Sequence, residues 1–530
     1  MFTKDRRQFL LGGLSAGLAA AMGSGARGSA ASQGSAPAAA KPATLELGEP
    51  QPFDFEQLRV RARAASHAGY LEPAPAADIV HSLNYDASQK IRFRPEYTLW
   101  RNGPGRFPIR FFHLSEYVDR PVRIHMVTGE TSREILYRPS YFEYGDAALA
   151  GKLTANLGFA GFRVMSGRKL ESDWLAFQGA SYFRTSGSQN QYGASARGIA
   201  VNTGLSTREE FPCFTEFWLK AAAESPSTVI IYALLDGPSV TGAYAFEARI
   251  DHGVIMEVDA NIYPRVDIGR LGVAPLTSMY WYRGNELRRP LDWRPAIHDS
   301  DGLSLWTGQG ERLWRPLNDP PTLQTNSFLD SHPKGFGLAQ RDHDFDHYLD
   351  DGAFYDRRPS IWVEPRDDWG EGAVQLVEIP TDDEIHDNIV AYWQARAPVR
   401  KGATLRYRYR LLWQADDPPP SGVARVVATR LGLGGNPGQP RPKDQWKFVI
   451  DFEGGELRQM KPRSDVEPVV TASRGNVVHP HCIKVVGKTI WRAVFDVAME
   501  GRDPLNLRCF LRLNNRALSE TWSYQFFPPE

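Results

Sequence analysis

Cysteine is nearly absent from this 530-residue chain, with Cys213, Cys482 and Cys509 the only three. A disulfide framework needs more, and an odd count excludes complete pairing within the chain. Sequence leaves a Cys482–Cys509 bridge open, although Cys509 shares parity with the leucines around it and reads as a small core side chain. A surplus of either charge is also lacking, because Lys+Arg and Asp+Glu both number 62. Without a basic surplus or basic block, the chain has little with which to neutralise a nucleic acid. Helical periodicity is scarce. Beyond the N-terminal segment there is no GxGxxG, Walker loop, HExxH or GxSxG, which removes the motif-based case for dinucleotide, nucleotide, zinc-protease and serine-esterase chemistry. His298, His343, His347 and His386 follow no metal-ligand spacing. The alternation Asp342-x-Asp344-x-Asp346 lacks the glycine and distal glutamate of a calcium loop. No metal and no cofactor are expected.

What is present begins at the N-terminus. Arg6-Arg7, then Phe9-Leu10 and an apolar Gly/Ala-rich run ending at Met22, make a twin-arginine export signal over residues 1–31. That run falls short of the roughly 20 residues that cross a bilayer, and no later segment approaches that length. Small residues at Gly28-Ser29-Ala30-Ala31 offer a cleavage site. Residues 32–44, rich in Ala, Pro and Ser, read as a disordered linker. The address is the periplasm.

The remaining chain reads as all-β. A helix is expected over 54–66 with Asp54 as its N-cap, and another over 75–82, where proline suits the first helical position. Beyond these, period-two patterning predicts strands at 122–127, 229–235, 246–258 and 373–379. From residue 404 an apolar/basic alternation opens a further set of about seven or eight strands, as in an immunoglobulin-like sandwich. The expected organisation is a large β-sandwich over 45–398, a linker, and a smaller sandwich over 403–530.

Residues 294–393 set carboxylates densely among aromatic rings. Such surfaces suit sugars: ring faces stack on the pyranose C–H face, while carboxylates and arginines take hydroxyls. Glycosidic cleavage needs one carboxyl to protonate the leaving oxygen and one carboxylate to activate a nucleophile. Asp299 or Asp301 on one loop and Asp387 on another could supply that pair. The ordinary reading of any single acid here is a solvated loop or an arginine partner.

Several long phrases carry a resemblance. Gly158-Phe159-Ala160-Gly161-Phe162-Arg163, Gly179-Ala180-Ser181-Tyr182-Phe183-Arg184, Tyr192-Gly193-Ala194-Ser195-Ala196-Arg197-Gly198 and Asp387-Asn388-Ile389-Val390 resemble the periplasmic glucan biosynthesis proteins of the OpgG/OpgD (MdoG/MdoD) type. So do 294–303 and 358–365, and the likeness spans about Phe53 to Phe527. The twin-arginine signal favours the D branch. The resemblance implies a galactose-mutarotase-like N-terminal sandwich with a deep cleft, an immunoglobulin-like C-terminal domain, and a role in setting the structure of osmoregulated periplasmic glucans. Members are similar to inverting β-1,2-glucanases or transglycosylases. By that resemblance Asp387 maps onto the general acid and Asp299 onto the general base, with Asp301 a rival. Tyr355 is placed in the cleft, and Arg358, Trp362, Glu364 and Glu378 among substrate contacts. The implied partners are β-1,2-glucan, the membrane glucan synthase and a second copy in a homodimer. The alternative is a non-catalytic scaffold that presents nascent glucan to that synthase. A mutarotase-type isomerase has only fold analogy behind it.

Overall fold

The computed structural model describes residues 44–529 apart from 74–77, 104–106, 146–148, 150, 154–156, 168–169, 171, 223–224, 226, 285–291, 417–421, 437 and 500. The export signal of 1–31 and all but the last residue of the linker lie outside the described residues. So does part of the helix expected over 75–82, of which Asp78–His81 is seen. Helix Phe55–His67 forms as its sequence directs. The Asp54 carboxylate accepts from the Gln57 amide at 2.8 Å, satisfying one of the orphan donors of the first turn. Leu58 and Ala62, one turn apart, bury against a cluster containing Trp218 and Tyr263.

Strands build the rest, in one sheet of sixteen and one of ten among the described residues. They face each other across a single apolar core, where Phe246 of the first meets Phe177 of the second at 5.2 Å between ring centres. Residues 246–258, expected as one strand, are parts of two. Val240–Ile250 and Val254–Pro264 pair as a hairpin, and the chain reverses through His252 and Gly253 at φ of 49° and 128°. Apolar residues keep the same parity on both sides of Asp251-His252-Gly253, at Phe246, Ala248 and Ile250 and again at Val254, Met256 and Val258, which hid the turn.

Leu405–Gln414 corrects a second expectation. Its arginines face outward to Asp259, Asp367 and Glu257, while Tyr409, Leu411 and Trp413 enter the core of the large sandwich. It pairs with Val254–Pro264 on one side and Ser360–Pro365 on the other, so it does not open the second sandwich. Alternation specifies which face is buried, not which sheet a strand joins. The apolar cores therefore divide between Trp413 and Ala424.

The second core lies between a four-stranded sheet and the run formed by Thr521–Phe526, Leu505–Leu513 and Val466–Ala472. Cys509 sits inside it, fully buried, and all three cysteines are free. Thr521–Phe526 pairs in parallel with Arg312–Pro316, carrying the sixteen-stranded sheet from one sandwich into the other.

Candidate functional site

Chain segments far apart in sequence converge on Met279 and Tyr280. Leu271–Ser278, buried along its whole length, leads into Tyr280–Tyr282, which pairs with Ile297–His298. The Asp299 amide donates to the Met279 carbonyl at 2.8 Å. On the other side Asn388 mimics a strand: the Tyr280 amide donates to its Oδ1 at 2.8 Å, and its Nδ2 donates to the Tyr280 carbonyl at 2.8 Å. Asp299 and Asn388, the residue after Asp387, are thus anchored to adjacent residues of one buried segment.

Arg184, on strand Tyr182–Thr185, feels both carboxylates. Burial lowers the pKa of its guanidinium, and Tyr192, Asp173 and Asp387 oppose that fall. Yet Arg184 keeps part of its surface accessible. Arg184 stacks 4.7 Å over the Tyr192 ring, and the Tyr192 hydroxyl donates to Asp173 at 2.6 Å. Gly193 leaves room for Arg358, because a Cβ there would lie 3.1 Å from the Arg358 side chain.

Arg358 Nε stands 3.3 Å from Asp299 Oδ1. Burial raises the Asp299 pKa, with Arg358 and Arg184 pulling the other way and Glu384 adding to the rise. The turn carrying Tyr355 and Arg358 is held from several directions. Phe354 adopts φ of 52°, a left-handed conformation that a non-glycine residue keeps only when its surroundings over-determine it. Gln340 Nε2 donates to the Tyr355 carbonyl at 2.9 Å, and His343 holds the Asp356 carbonyl at 2.6 Å and that of Ala415 at 2.9 Å. The Tyr355 hydroxyl donates to Glu384 at 2.5 Å. Glu384 is gripped in turn by both terminal nitrogens of Arg294, at 2.9 and 3.0 Å. The Arg294 pKa rises through its bonds to Asp292, Glu384 and Asp350.

Four residues singled out from sequence therefore meet here: Asp299, Asp387, Tyr355 and Arg358. Four others do not. Asp301 is buried behind the site, where Arg283 pairs with its Oδ1 at 3.0 Å and the Asp342 amide donates to Oδ2 at 2.8 Å. Trp362 is 1% exposed, with its ring over Gly335 and Gly337, and offers no free face to a sugar. Glu364 pairs with Arg366 and Arg410 on the outer sheet surface. Glu378 is fully buried, accepting from Arg315 Nη2 at 3.0 Å and from the Asn318 amide at 2.8 Å. Conversely Arg184, Arg294 and Glu384 were not singled out. Arg184 lay inside a quoted phrase and Glu384 inside an acid run, but composition does not rank members of such a run.

A family profile described as "Periplasmic glucan biosynthesis protein, MdoG" matches residues 53–526. The chain belongs to this family. Membership brings a role in periplasmic glucan biosynthesis, and the family is periplasmic. "Glucans biosynthesis protein D 2" of Ralstonia nicotianae is 50% identical over 511 residues, covering 94% of this chain and 95% of that protein. "Glucans biosynthesis protein D" of Xanthomonas campestris pv. campestris is 47% identical over 493 residues, 91% of this chain and 92% of its own. The protein of that name from Stenotrophomonas maltophilia is 47% identical over 487 residues, 91% of each chain. Family membership thus covers both sandwiches and every site segment described above.

Proposed function

We propose that the protein, exported by the twin-arginine route, cuts or transfers the β-1,2-linked glucose backbone of periplasmic glucan with inversion at the anomeric carbon. Asp387 is the general acid and Asp299 the general base, roles that follow the family resemblance. The observation that carries the reading is the anchoring of Asp299, and of Asn388 beside Asp387, to Met279-Tyr280, with Arg184 in the field of both acids.

Asp387 gives its proton to the glycosidic oxygen as the bond from C1 to that oxygen breaks. A nucleophilic oxygen attacks the opposite face of C1, and its proton passes to Asp299, directly or through sugar hydroxyls. Burial moves the Asp299 pKa upward, towards the working pH, where a base is most effective. Arg358 and Arg184 favour its ionised form. Tyr355, its own proton committed to Glu384, orients the attacking oxygen through its lone pairs. A water nucleophile shortens the chain; a sugar hydroxyl gives a transferred or cyclised product.

The Arg358–Asp299 ion pair also favours a second reading, a glucan-binding scaffold presenting nascent chains to a membrane synthase, since a neutralised carboxylate suits recognition as well as catalysis. Incubation with linear β-1,2-glucan, followed by mass, separates the two. A binder leaves chain length unchanged.

A further inference from the structure

Of the chain's 14 tryptophans, all within the described residues, Trp293 is the one exposed to solvent. It shows 69% of its surface, against 5% or less for most of the ring's counterparts in the two cores. Leaving so large an apolar side chain in water forgoes burial that the fold secures almost everywhere else.

Its position ties it to the site. Trp293 precedes Arg294, whose guanidinium lies 6.0 Å from the indole centre while gripping Asp292, Asp350 and Glu384. Ile385, 44% exposed, follows Glu384 directly. Each partner of the Arg294–Glu384 pair thus has an exposed apolar residue beside it in the chain. Glu384 accepts the hydroxyl of Tyr355, which is 4% exposed. Exposure falls from Trp293, through Arg294 at 12%, to Tyr355, which lies in the field of Asp299. Arg294 is fixed by three carboxylates, so the backbone of the neighbouring tryptophan is fixed with it.

We propose that the Trp293 indole is a stacking platform for a glucosyl ring of the substrate chain lying outward of the cleaved linkage, and that it sets a preference for longer chains. This rests on the glucan reading above. A pyranose presents an apolar C–H face and equatorial hydroxyls. The indole covers the first without desolvating the second.

The test titrates the unaltered protein, Trp293→Ala and Trp293→Phe calorimetrically with linear β-1,2-glucan oligosaccharides of increasing length, with turnover and thermal midpoint alongside. The alanine variant is expected to bind long oligosaccharides about tenfold more weakly, equivalent to about 1.4 kcal/mol. It should bind the shortest one as the unaltered protein does and unfold at the same temperature. Phenylalanine should restore most of the loss. Equal affinity at every length, in a protein that does bind glucan, overturns the platform and leaves the glucan reading standing. A uniform loss at all lengths also overturns it, because that reports damage to the site and not an outlying ring. Absence of binding by the unaltered protein overturns both.

Discussion

Two sets of acids occupy the same acid-rich stretch and meet opposite fates. Asp301 and Glu378 are tied into the fold. An arginine pairs with each, backbone amides donate to Asp301 Oδ2 and to Glu378 Oε1, and neither is exposed by more than 2%. Asp299 pairs with Arg358, and Asp299 and Asp387 both lie in the field of Arg184. The lesson concerns capacity. A buried carboxylate that accepts from backbone amides supports the fold, whereas one paired with an arginine side chain, as Asp299 is with Arg358, retains capacity for a substrate's protons.

The largest expected effect follows from that contrast. Asp387→Asn and Asp299→Asn should each lower turnover of β-1,2-glucan by about 10²–10⁴-fold, and Asp387→Asn should leave the thermal midpoint close to its original value, because that side chain is not fully buried. Steady-state kinetics beside melting curves would show it. Arg315→Met should do the reverse. Removing one partner of the buried Arg315–Glu378 pair costs about 3–5 kcal/mol of stability, read from denaturant unfolding, while turnover per folded molecule stays near its original value. A collapse of activity without a loss of stability in Arg315→Met would break the comparison.

A smaller effect is expected at the edge of the site. Tyr355→Phe removes the hydroxyl that donates to Glu384. Turnover should fall about 10- to 100-fold, in keeping with about 1.5–3 kcal/mol for a hydrogen bond to a charged group. The smallest effect sharpens the structural side. Burial alone would raise the Asp301 pKa, but Arg283, His298 and two backbone amides more than offset it, so the pKa is lowered. A carboxyl with a depressed folded-state pKa stabilises the protein above its unfolded value of about 3.9, and that contribution is lost as pH falls through the folded value. Thermal midpoints between about pH 7 and about pH 3 should therefore fall less steeply in Asp301→Asn than in the unaltered protein.

Much of the fold was legible because faces are written as alternation. Leu505–Leu513 and the Asp54-capped helix follow directly from local pattern. What was not legible is non-local. Whether Leu405–Gln414 joined the first sheet or the second depends on its distant partners Val254–Pro264 and Ser360–Pro365, and alternation is the same in either. The site divides in the same way. Asp299, Asp387, Tyr355 and Arg358 came from long phrases resembling a family, and they converge. Trp362 and Glu378 were drawn from the same resemblance and proved to be packing and a buried ion pair. Residue type states what chemistry is available, but only the paired partner states whether it is already spent. Arg184 and Glu384 were passed over for the same reason, since their roles exist only through neighbours on other strands.

The central claim is that Asp299 and Asp387 act together on one sugar linkage. Purified protein and its Asp387→Asn variant, each incubated with linear β-1,2-glucan and followed by mass spectrometry and by the anomeric configuration of the first product, test this most directly. The account predicts shortened, transferred or cyclised glucan with an inverted anomeric centre from the unaltered protein, and almost none from the variant. Glucan of unchanged length from the unaltered protein, or full activity in the variant, would contradict it.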